Sequence, residues 1–185
     1  MASPPACATR VERCLIPFRN QPAVPRLPDG YVLESEPSPH PSELNLLLMA
    51  CGEPQRSEAK LAQVLLRSAW QLSVRNPAGE LVGFVRATSD QALNANLWDL
   101  AATPGDEQQQ AVLTVLVHAA LSRLRRELSG CSISVAAPPE ALPALRRYGF
   151  LVDPGGIRAM GLGLKAEVEA PAPAGDGASS RPMAE

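Results

Sequence analysis

One carboxylate, Asp99, lies among apolar side chains in the strand-like run at residues 97–102. A carboxylate in such a setting can accept the proton that an amine must lose before it attacks an electrophile. Burial would raise the pKa of Asp99, whereas hydrogen bonds to the charged form would lower it. The sequence leaves two roles open: a general base, or a structural aspartate that hydrogen-bonds Asn94 or Ser89 and orders the loop between them.

The loop after this run leads into a long apolar helix, which the spacing predicts over residues 107–128. A helix N-terminus offers unpaired backbone N–H groups and the positive end of the helix dipole to an anion. Close approach of a pyrophosphate also favours glycines, and residues 107–112 contain none. The acids Asp106 and Glu107 suit a helix that binds no anion. The sequence therefore predicts the architecture of a phosphate site without its usual glycines.

Metal and thiol chemistry have little support in the sequence. His118 has no metal-ligand partner at a suitable spacing, so we predict no metal site. The cysteines have irregular spacings and no Cys-x-x-Cys pair, which predicts reduced thiols at Cys7, Cys14, Cys51 and Cys131.

The chain has 185 residues and a formal net charge of -2. This balance predicts no general attraction to nucleic acid or to an anionic membrane surface. No apolar run reaches the ~18 to 20 residues of a membrane span. We therefore expect a soluble protein without nucleic-acid or membrane partners.

Composition divides the chain into three parts: a flexible arm at 1–29, one globular domain at 30–165 and a disordered Ala/Pro-rich tail at 166–185. Residues 1–26 are rich in Pro, Ala and Arg, which leaves a plain disordered arm or a short plastid transit sequence open. The predicted location is the cytoplasm, or the plastid stroma if the arm is a transit sequence.

The domain alternates strands and helices, which predicts an α/β fold. A strand at 31–34 precedes two helices, at 41–50 and from Ser57 onward. The other predicted elements are a hairpin at 71–75 and 81–87, a strand at 97–102 buried on both faces, the long helix, a strand at 132–136, a helix at 139–147 and a strand pair at 150–152 and 160–164.

This order and several motifs resemble the GNAT acyl-CoA N-acetyltransferase superfamily, specifically its plastid and cyanobacterial branch. The motifs are Arg-Ala-Thr-Ser-Asp at 86–90, Asn-Ala at 94–95, Trp-Asp at 98–99, Lys-Leu-Ala at 60–62, Leu-Arg-Ser at 66–68, Tyr-Gly-Phe at 148–150 and Asp-Pro-x-Gly-Ile at 153–157 with Met160. The resemblance spans roughly residues 31–164.

The resemblance implies a mixed sheet with helices on both faces, splayed between its fourth and fifth strands, where acetyl-CoA binds. Backbone groups of the fourth strand hold the pantetheine arm, and a loop of the form Gln/Arg-x-x-Gly-x-Gly/Ala holds the pyrophosphate. In this chain the loop's defining positions are Glu107, Gln110 and Val112. The implied acetyl-CoA contacts are Leu100, Ala101, Ala102, Gln108, Gln109, Gln110, Ala111 and Val112.

For the acceptor side, the resemblance implies contacts from Asn94 and Trp98. Trp70 and Trp98 could line a pocket for an aromatic amine, but core packing is the default for both. Family members often place a tyrosine on the last helix to protonate the leaving thiolate. That position is Leu145 here, and Tyr148, one helical turn later, is the candidate substitute.

Two functions remain open from the sequence. The chain is either an N-acetyltransferase that moves an acetyl group from acetyl-CoA to a primary amine (a protein lysine, an N-terminus or a small amine), or an inactive GNAT-like domain that binds or regulates a protein partner. Holding the amine beside the thioester lowers the reaction barrier by roughly 7 to 11 kcal/mol. Loss of the family's proton-donating tyrosine therefore need not abolish turnover. A homodimer or a heterodimer is compatible with both.

Overall fold

The structure, a computed structural model, describes residues 23–153, and residues 23–151 lie in one compact unit. Most of the predicted N-terminal arm, the C-terminal tail and the predicted strand at 160–164 lie outside the described residues. The prediction of the other strand in that pair, at 150–152, is wrong, because these residues form no strand in the structure.

The remaining elements follow the predicted order. They are β1 (Val32–Glu34), α1 (Pro41–Ala50), α2 (Glu58–Arg67), β2 (Trp70–Arg75), β3 (Leu81–Ser89), β4 (Asn94–Ala102), α3 (Gln109–Glu127), β5 (Ser132–Val135), a short 3-10 turn (Pro139–Ala141) and α4 (Leu142–Arg147). Within the described residues, no helix is long and apolar enough to span a membrane.

Side-chain caps fix the start of the first helix. His40 accepts a hydrogen bond from the backbone N–H of Ser42, and Glu43 accepts one from the backbone N–H of His40 at 3.0 Å. Glu43 also accepts hydrogen bonds from the Arg75 guanidinium on β2, which lower the pKa of its carboxyl. Glu43 therefore ties α1 to the sheet.

The five strands form one mixed sheet in the order β1-β2-β3-β4-β5. The first three pairings are antiparallel, and β4 pairs with β5 in parallel. Helices α3 and α4 cover one face, and α1 and α2 cover the other. This is the predicted α/β class, and the parallel pair of β4 and β5 lies at one edge of the sheet.

Burial of the central strand differs from the prediction in one place. Leu100, Ala101 and Ala102 are buried, as predicted for a strand covered on both faces. Trp98, in contrast, is 40% exposed. The two helices over this face therefore leave part of the sheet open beside Trp98.

Candidate functional site

Strands β4 and β5 separate part-way along their length. Their pairing runs from Asn94 opposite Ser132 to Leu97 opposite Val135, where β5 ends, while β4 continues to Ala102. The gap between residues 100–102 and the segment 136–138 is called the wedge below. Because no described strand pairs with β4 on this side beyond Leu97, the wedge leaves backbone groups of residues 100–102 without a strand partner.

Two adjoining cavities occupy the wedge. The α3 cavity, of about 280 Å³, is lined by the end of β4, the start of α3 and the turn before α4, including Ala102, Gln109 and Glu140. The bulge cavity, of about 530 Å³, is lined by Trp98, Asp99 and residues of the α1–α2 connection. Both cavities share Cys51, Ala101 and Pro138 as lining residues.

A β-bulge at Asp99 sets the direction of the side chains along the wedge. Trp98 pairs with Arg86 and Ala101 with Phe84, so β4 has one more residue than β3 over this interval. Asp99 takes the left-handed conformation (φ 53°), which aspartate tolerates better than most residues. The extra residue shifts the alternation by one, so that Leu97 and Leu100 both pack on the α3 side.

The Asp99 carboxylate is held by an ion pair with Arg86. Arg86 Nε donates to Asp99 Oδ2 at 2.5 Å, and the two side chains are 15% and 24% exposed. Within residues 23–153, no group donates a hydrogen bond to Oδ1. Asp99 lines the bulge cavity, so a carboxylate oriented by Arg86 and with one oxygen free of donors in the described residues borders that cavity.

Asp90, and not Asp99, makes the hydrogen bonds that order the loop between Ser89 and Asn94. Asp90 Oδ1 accepts hydrogen bonds from the backbone N–H groups of Ala92, Leu93 and Asn94, and Oδ2 accepts one from the Asn94 side chain. These bonds strongly lower the pKa of Asp90. Asn94, the first residue of β4, is therefore held to the loop that joins β3 to β4.

The start of α3 has two unused donors. Asp106 accepts the backbone N–H of Gln108 through Oδ1 at 2.8 Å and that of Gln109 through its carbonyl at 3.0 Å. In the described part of the chain, the N–H groups of Gln110 and Ala111 have no acceptor. Two donors and the helix dipole therefore remain for an anion.

The chain's own side chains also reach across the wedge. Gln109 Nε2 and Cys51 Sγ both donate to the carbonyl of Ala102, at 3.2 and 3.5 Å. Gln110 Nε2 donates to the carbonyl of Glu140 at 3.1 Å, which links α3 to the turn before α4. Burial raises the pKa of the Cys51 thiol, so it acts as a hydrogen-bond donor here.

The side chain of Val112 points away from the wedge. It is 1% exposed and packs over Gly83 of β3, where an added Cβ would lie 2.4 Å from Val112 Cγ1. A residue other than glycine fits at position 112 because the facing strand position is a glycine. Val112 therefore leaves the helix N-terminus open.

The two aromatic candidates lie in different places. Trp98 lines the bulge cavity, and its Nε1 donates to Thr88 Oγ1 at 2.9 Å. Tyr148 follows α4, with its ring centroid 5.4 Å from that of His118, and its buried hydroxyl has no hydrogen-bond partner among residues 23–153. Tyr148 lines neither cavity of the wedge.

Comparison with known proteins places this geometry in a family. The uncharacterized N-acetyltransferase ycf52 of Porphyra purpurea is 34% identical over 122 residues, which cover 64% of this chain and 68% of that protein. The chain belongs to the GNAT superfamily of N-acetyltransferases. The GCN5-related N-acetyltransferase 1, chloroplastic, of Arabidopsis thaliana is 32% identical over 64% of this chain and 59% of that relative. No family model matches the chain.

Solved structures show the same GNAT fold. A probable acetyltransferase from Staphylococcus aureus superimposes with a TM-score of 0.65 at 12% identity, over 72% of this chain and 99% of that one. A GNAT family protein from Streptococcus pneumoniae gives a TM-score of 0.54 at 14% identity, over 74% of this chain and 99% of that one. The splayed mixed sheet predicted from the GNAT motifs is thus confirmed.

Sequence reasoning missed several residues of this GNAT wedge. Arg86 was noted only as part of a motif, and its pairing with Asp99 depends on the register between β3 and β4. Gly83 had a usable signal, since a glycine inside a strand often marks close approach of another element. Cys51 and Glu140 had no such signal in the sequence, because their hydrogen bonds join segments far apart in the chain.

Proposed function

We propose that this chain transfers the acetyl group of acetyl-CoA to a primary amine within the wedge. One observation carries the proposal: the free edge of β4 and the start of α3 line the same cavity, and the N–H groups of Gln110 and Ala111 in that first helical turn have no acceptor among the described residues. Acetyl-CoA supplies an acetyl group activated as a thioester. The amine nitrogen bonds to the thioester carbonyl carbon, the C–S bond breaks, and CoA leaves as a thiolate that takes a proton from solvent. The protein's part is to hold the ester beside the amine and to accept the amine's proton.

The residues of the wedge fit the pantetheine arm. Ala101 and Ala102 put only methyl groups beside the gap, and the backbone of residues 100–102 has no strand partner there. The carbonyl of Ala102 already accepts two donors, of which the Cys51 thiol is the weaker one. An amide of the pantetheine arm can therefore replace the thiol at little energetic cost.

The residues at the start of α3 fit a pyrophosphate after one rearrangement. Val112 is turned into the core, so its side chain does not block the anion. Gln110, which takes the place of the first loop glycine, has to release the Glu140 carbonyl. Glu107 and Glu140 add negative charge near the same turn, which weakens binding without closing the site.

Gln110 offers a direct test of this rearrangement. We expect Gln110→Ala to bind acetyl-CoA about five-fold more tightly, because the bond to Glu140 no longer has to break. We expect Gln110→Glu to bind at least about ten-fold more weakly, because it adds a third carboxylate beside the pyrophosphate. Calorimetry on the two variants measures both effects, and equal affinities would refute the assigned position of Gln110.

We assign acceptance of the amine proton to Asp99. Asp99 lines the bulge cavity, its Oδ1 accepts no hydrogen bond from residues 23–153, and Arg86 orients the carboxylate through Oδ2. Trp98 lines the same cavity and is placed to contact the acceptor. The sequence suggested Tyr148 as a proton donor, but because Tyr148 lines neither cavity we propose that it takes no part in proton transfer and expect Tyr148→Phe to keep kcat within about two-fold; a larger loss of kcat would restore the proton-donating role.

A second candidate function is an inactive GNAT-like domain that binds a protein partner, alone or as a dimer. It is favoured by three hydrogen bonds at the wedge: Cys51 and Gln109 occupy the Ala102 carbonyl, and Gln110 links α3 to the turn before α4. A steady-state assay of thiol release from acetyl-CoA, over a panel of primary amines, separates the two functions. Amine-dependent release supports the enzyme, and no release with any amine supports the binding domain.

The acceptor and the location are proposed in general terms. Relatives of this chain include a histone acetyltransferase of Glycine max and a chloroplastic serotonin N-acetyltransferase of Oryza sativa, so both protein lysines and small aromatic amines belong in the panel. We propose a plastid or a cyanobacterial cytoplasm as the location, in line with the chloroplastic relatives.

A further inference from the structure

A basic groove lies beside the bulge cavity, on the face of the sheet that α2 covers. It has a volume of about 390 Å³ and is lined by Arg56, Lys60, Gln63, Val64, Arg67, Arg86 and Thr88. Four of these residues are cationic, although the whole chain has a formal net charge of -2. The groove is therefore a local concentration of positive charge on an acidic protein.

Helix and strand periodicity build this groove. Lys60, Val64 and Arg67 are spaced four and three residues apart on α2, so they share one face of the helix. Arg86 and Thr88 are two residues apart on β3, so they share one face of the sheet. The two faces meet to form a channel with cations on both walls.

Two of the cations carry uncompensated charge. Arg56 pairs with Glu53, and Arg86 pairs with Asp99. Within residues 23–153, Lys60 and Arg67 form no ion pair, and both are exposed. The lining thus has two spare positive charges for an anionic ligand.

The groove joins the proposed reaction site. Arg56 lines both the groove and the bulge cavity, and Arg86 in the groove holds the Asp99 carboxylate. From Lys60 to Arg67 the helix rises about 10 Å, the length of about three residues of extended peptide. A chain lying in the groove could therefore place an amine a few residues away in the bulge cavity.

From this juxtaposition we infer that the acceptor is a lysine in an acidic peptide segment, whose carboxylates bind the cations of the groove. The inference rests on the proposed function and names its substrate class. A peptide fits better than nucleic acid because the charge is confined to about three residues of length and the adjoining cavity supplies a carboxylate for an amine. Charges at such a rim act mainly on substrate capture and weaken with salt.

The test compares two N-acetylated peptides that each have one central lysine. In the first, three glutamates lie on each side of the lysine, and in the second, glutamines replace the glutamates, so that only charge differs. We expect kcat/KM to be at least about ten-fold higher for the glutamate peptide at low salt, and this ratio to fall as salt is added. Equal kcat/KM for the two peptides overturns the inference.

Charge reversal locates the effect. We expect Arg67→Glu to reduce the glutamate-to-glutamine ratio about five-fold, and Lys60→Glu/Arg67→Glu to abolish it. Arg125→Glu is the matched control, because Arg125 is also an exposed arginine in the last turn of a helix but lies outside the groove. A ratio that falls equally in the control and in Arg67→Glu overturns the assignment to the groove.

Direct binding separates this inference from the proposed function. Fluorescence anisotropy of the labelled peptides needs no turnover, and we expect tighter binding of the glutamate peptide that Arg67→Glu weakens. Tighter binding of the glutamate peptide without acetylation of any substrate contradicts the proposed acetyltransferase activity but supports an acidic ligand for the groove. Acetylation of simple amines without any peptide preference, or tighter binding of a short oligonucleotide than of the glutamate peptide, overturns the groove's assignment.

Discussion

Gly83→Ala is expected to lower the free energy of unfolding by about 2 kcal/mol, because the new methyl group has no space. An added Cβ would lie 2.4 Å from Val112 Cγ1 and 3.1 Å from Leu116 Cδ1, both on α3. The helix would have to move away from β3. Chemical denaturation monitored by circular dichroism measures the loss.

A double-mutant cycle shows whether Gly83 compensates for Val112. We expect Val112→Ala alone to cost about 2 kcal/mol as a cavity, and the double variant Gly83→Ala/Val112→Ala to cost at least about 1 kcal/mol less than the sum. Gly79 is not used as a packing control. An added Cβ there would have no neighbouring atom within 4 Å, but the positive φ of Gly79 would itself strain an alanine. Additive single effects would refute the compensation.

Asp99→Asn is expected to lower kcat at least about 100-fold while leaving the affinity for acetyl-CoA unchanged. Asparagine has the same shape and tolerates the left-handed backbone that the bulge requires, but it cannot accept the amine's proton. Steady-state kinetics give kcat, and calorimetry gives the affinity. The defect should shrink as the pH approaches the pKa of the free amine, because the amine then needs no base.

Glu53→Gln is the matched control for Asp99→Asn. Glu53 is the other carboxylate that lines the bulge cavity, and it pairs with Arg56. We expect this variant to keep kcat within about three-fold. An Asp99→Asn enzyme with wild-type kcat, or a defect that does not change with pH, would refute the role of Asp99 as a general base.

The sequence predicted the elements well where local signals were strong. Helix α1 has the predicted bounds because Pro41 starts it and Gly52 and Pro54 follow it, and the turn at Asn76–Gly79 joins β2 to β3 as expected. Strand β4 begins earlier than predicted, at Asn94. Its first residues pair with β5, which lies almost 40 residues later in the sequence. Local sequence patterns carry no information about such a distant pairing.

The site was predictable only in part. The motifs pointed to residues 100–102 and to the start of α3, and both border the wedge. The bulge at Asp99, the ion pair with Arg86 and the bridge from Gln110 to Glu140 depend on register and on distant segments. The glycine that matters for α3 packing is on β3, so a search of the loop alone could not find it.

Binding of acetyl-CoA tests the central claim most directly, namely that the wedge and the glycine-free helix N-terminus together hold this substrate. The measurement is isothermal titration calorimetry of the whole chain with acetyl-CoA and, separately, with acetyl-pantetheine, which lacks the pyrophosphate. We predict micromolar binding of acetyl-CoA and clearly weaker binding of acetyl-pantetheine. No heat with acetyl-CoA up to millimolar concentration, together with no thermal shift, would contradict the account.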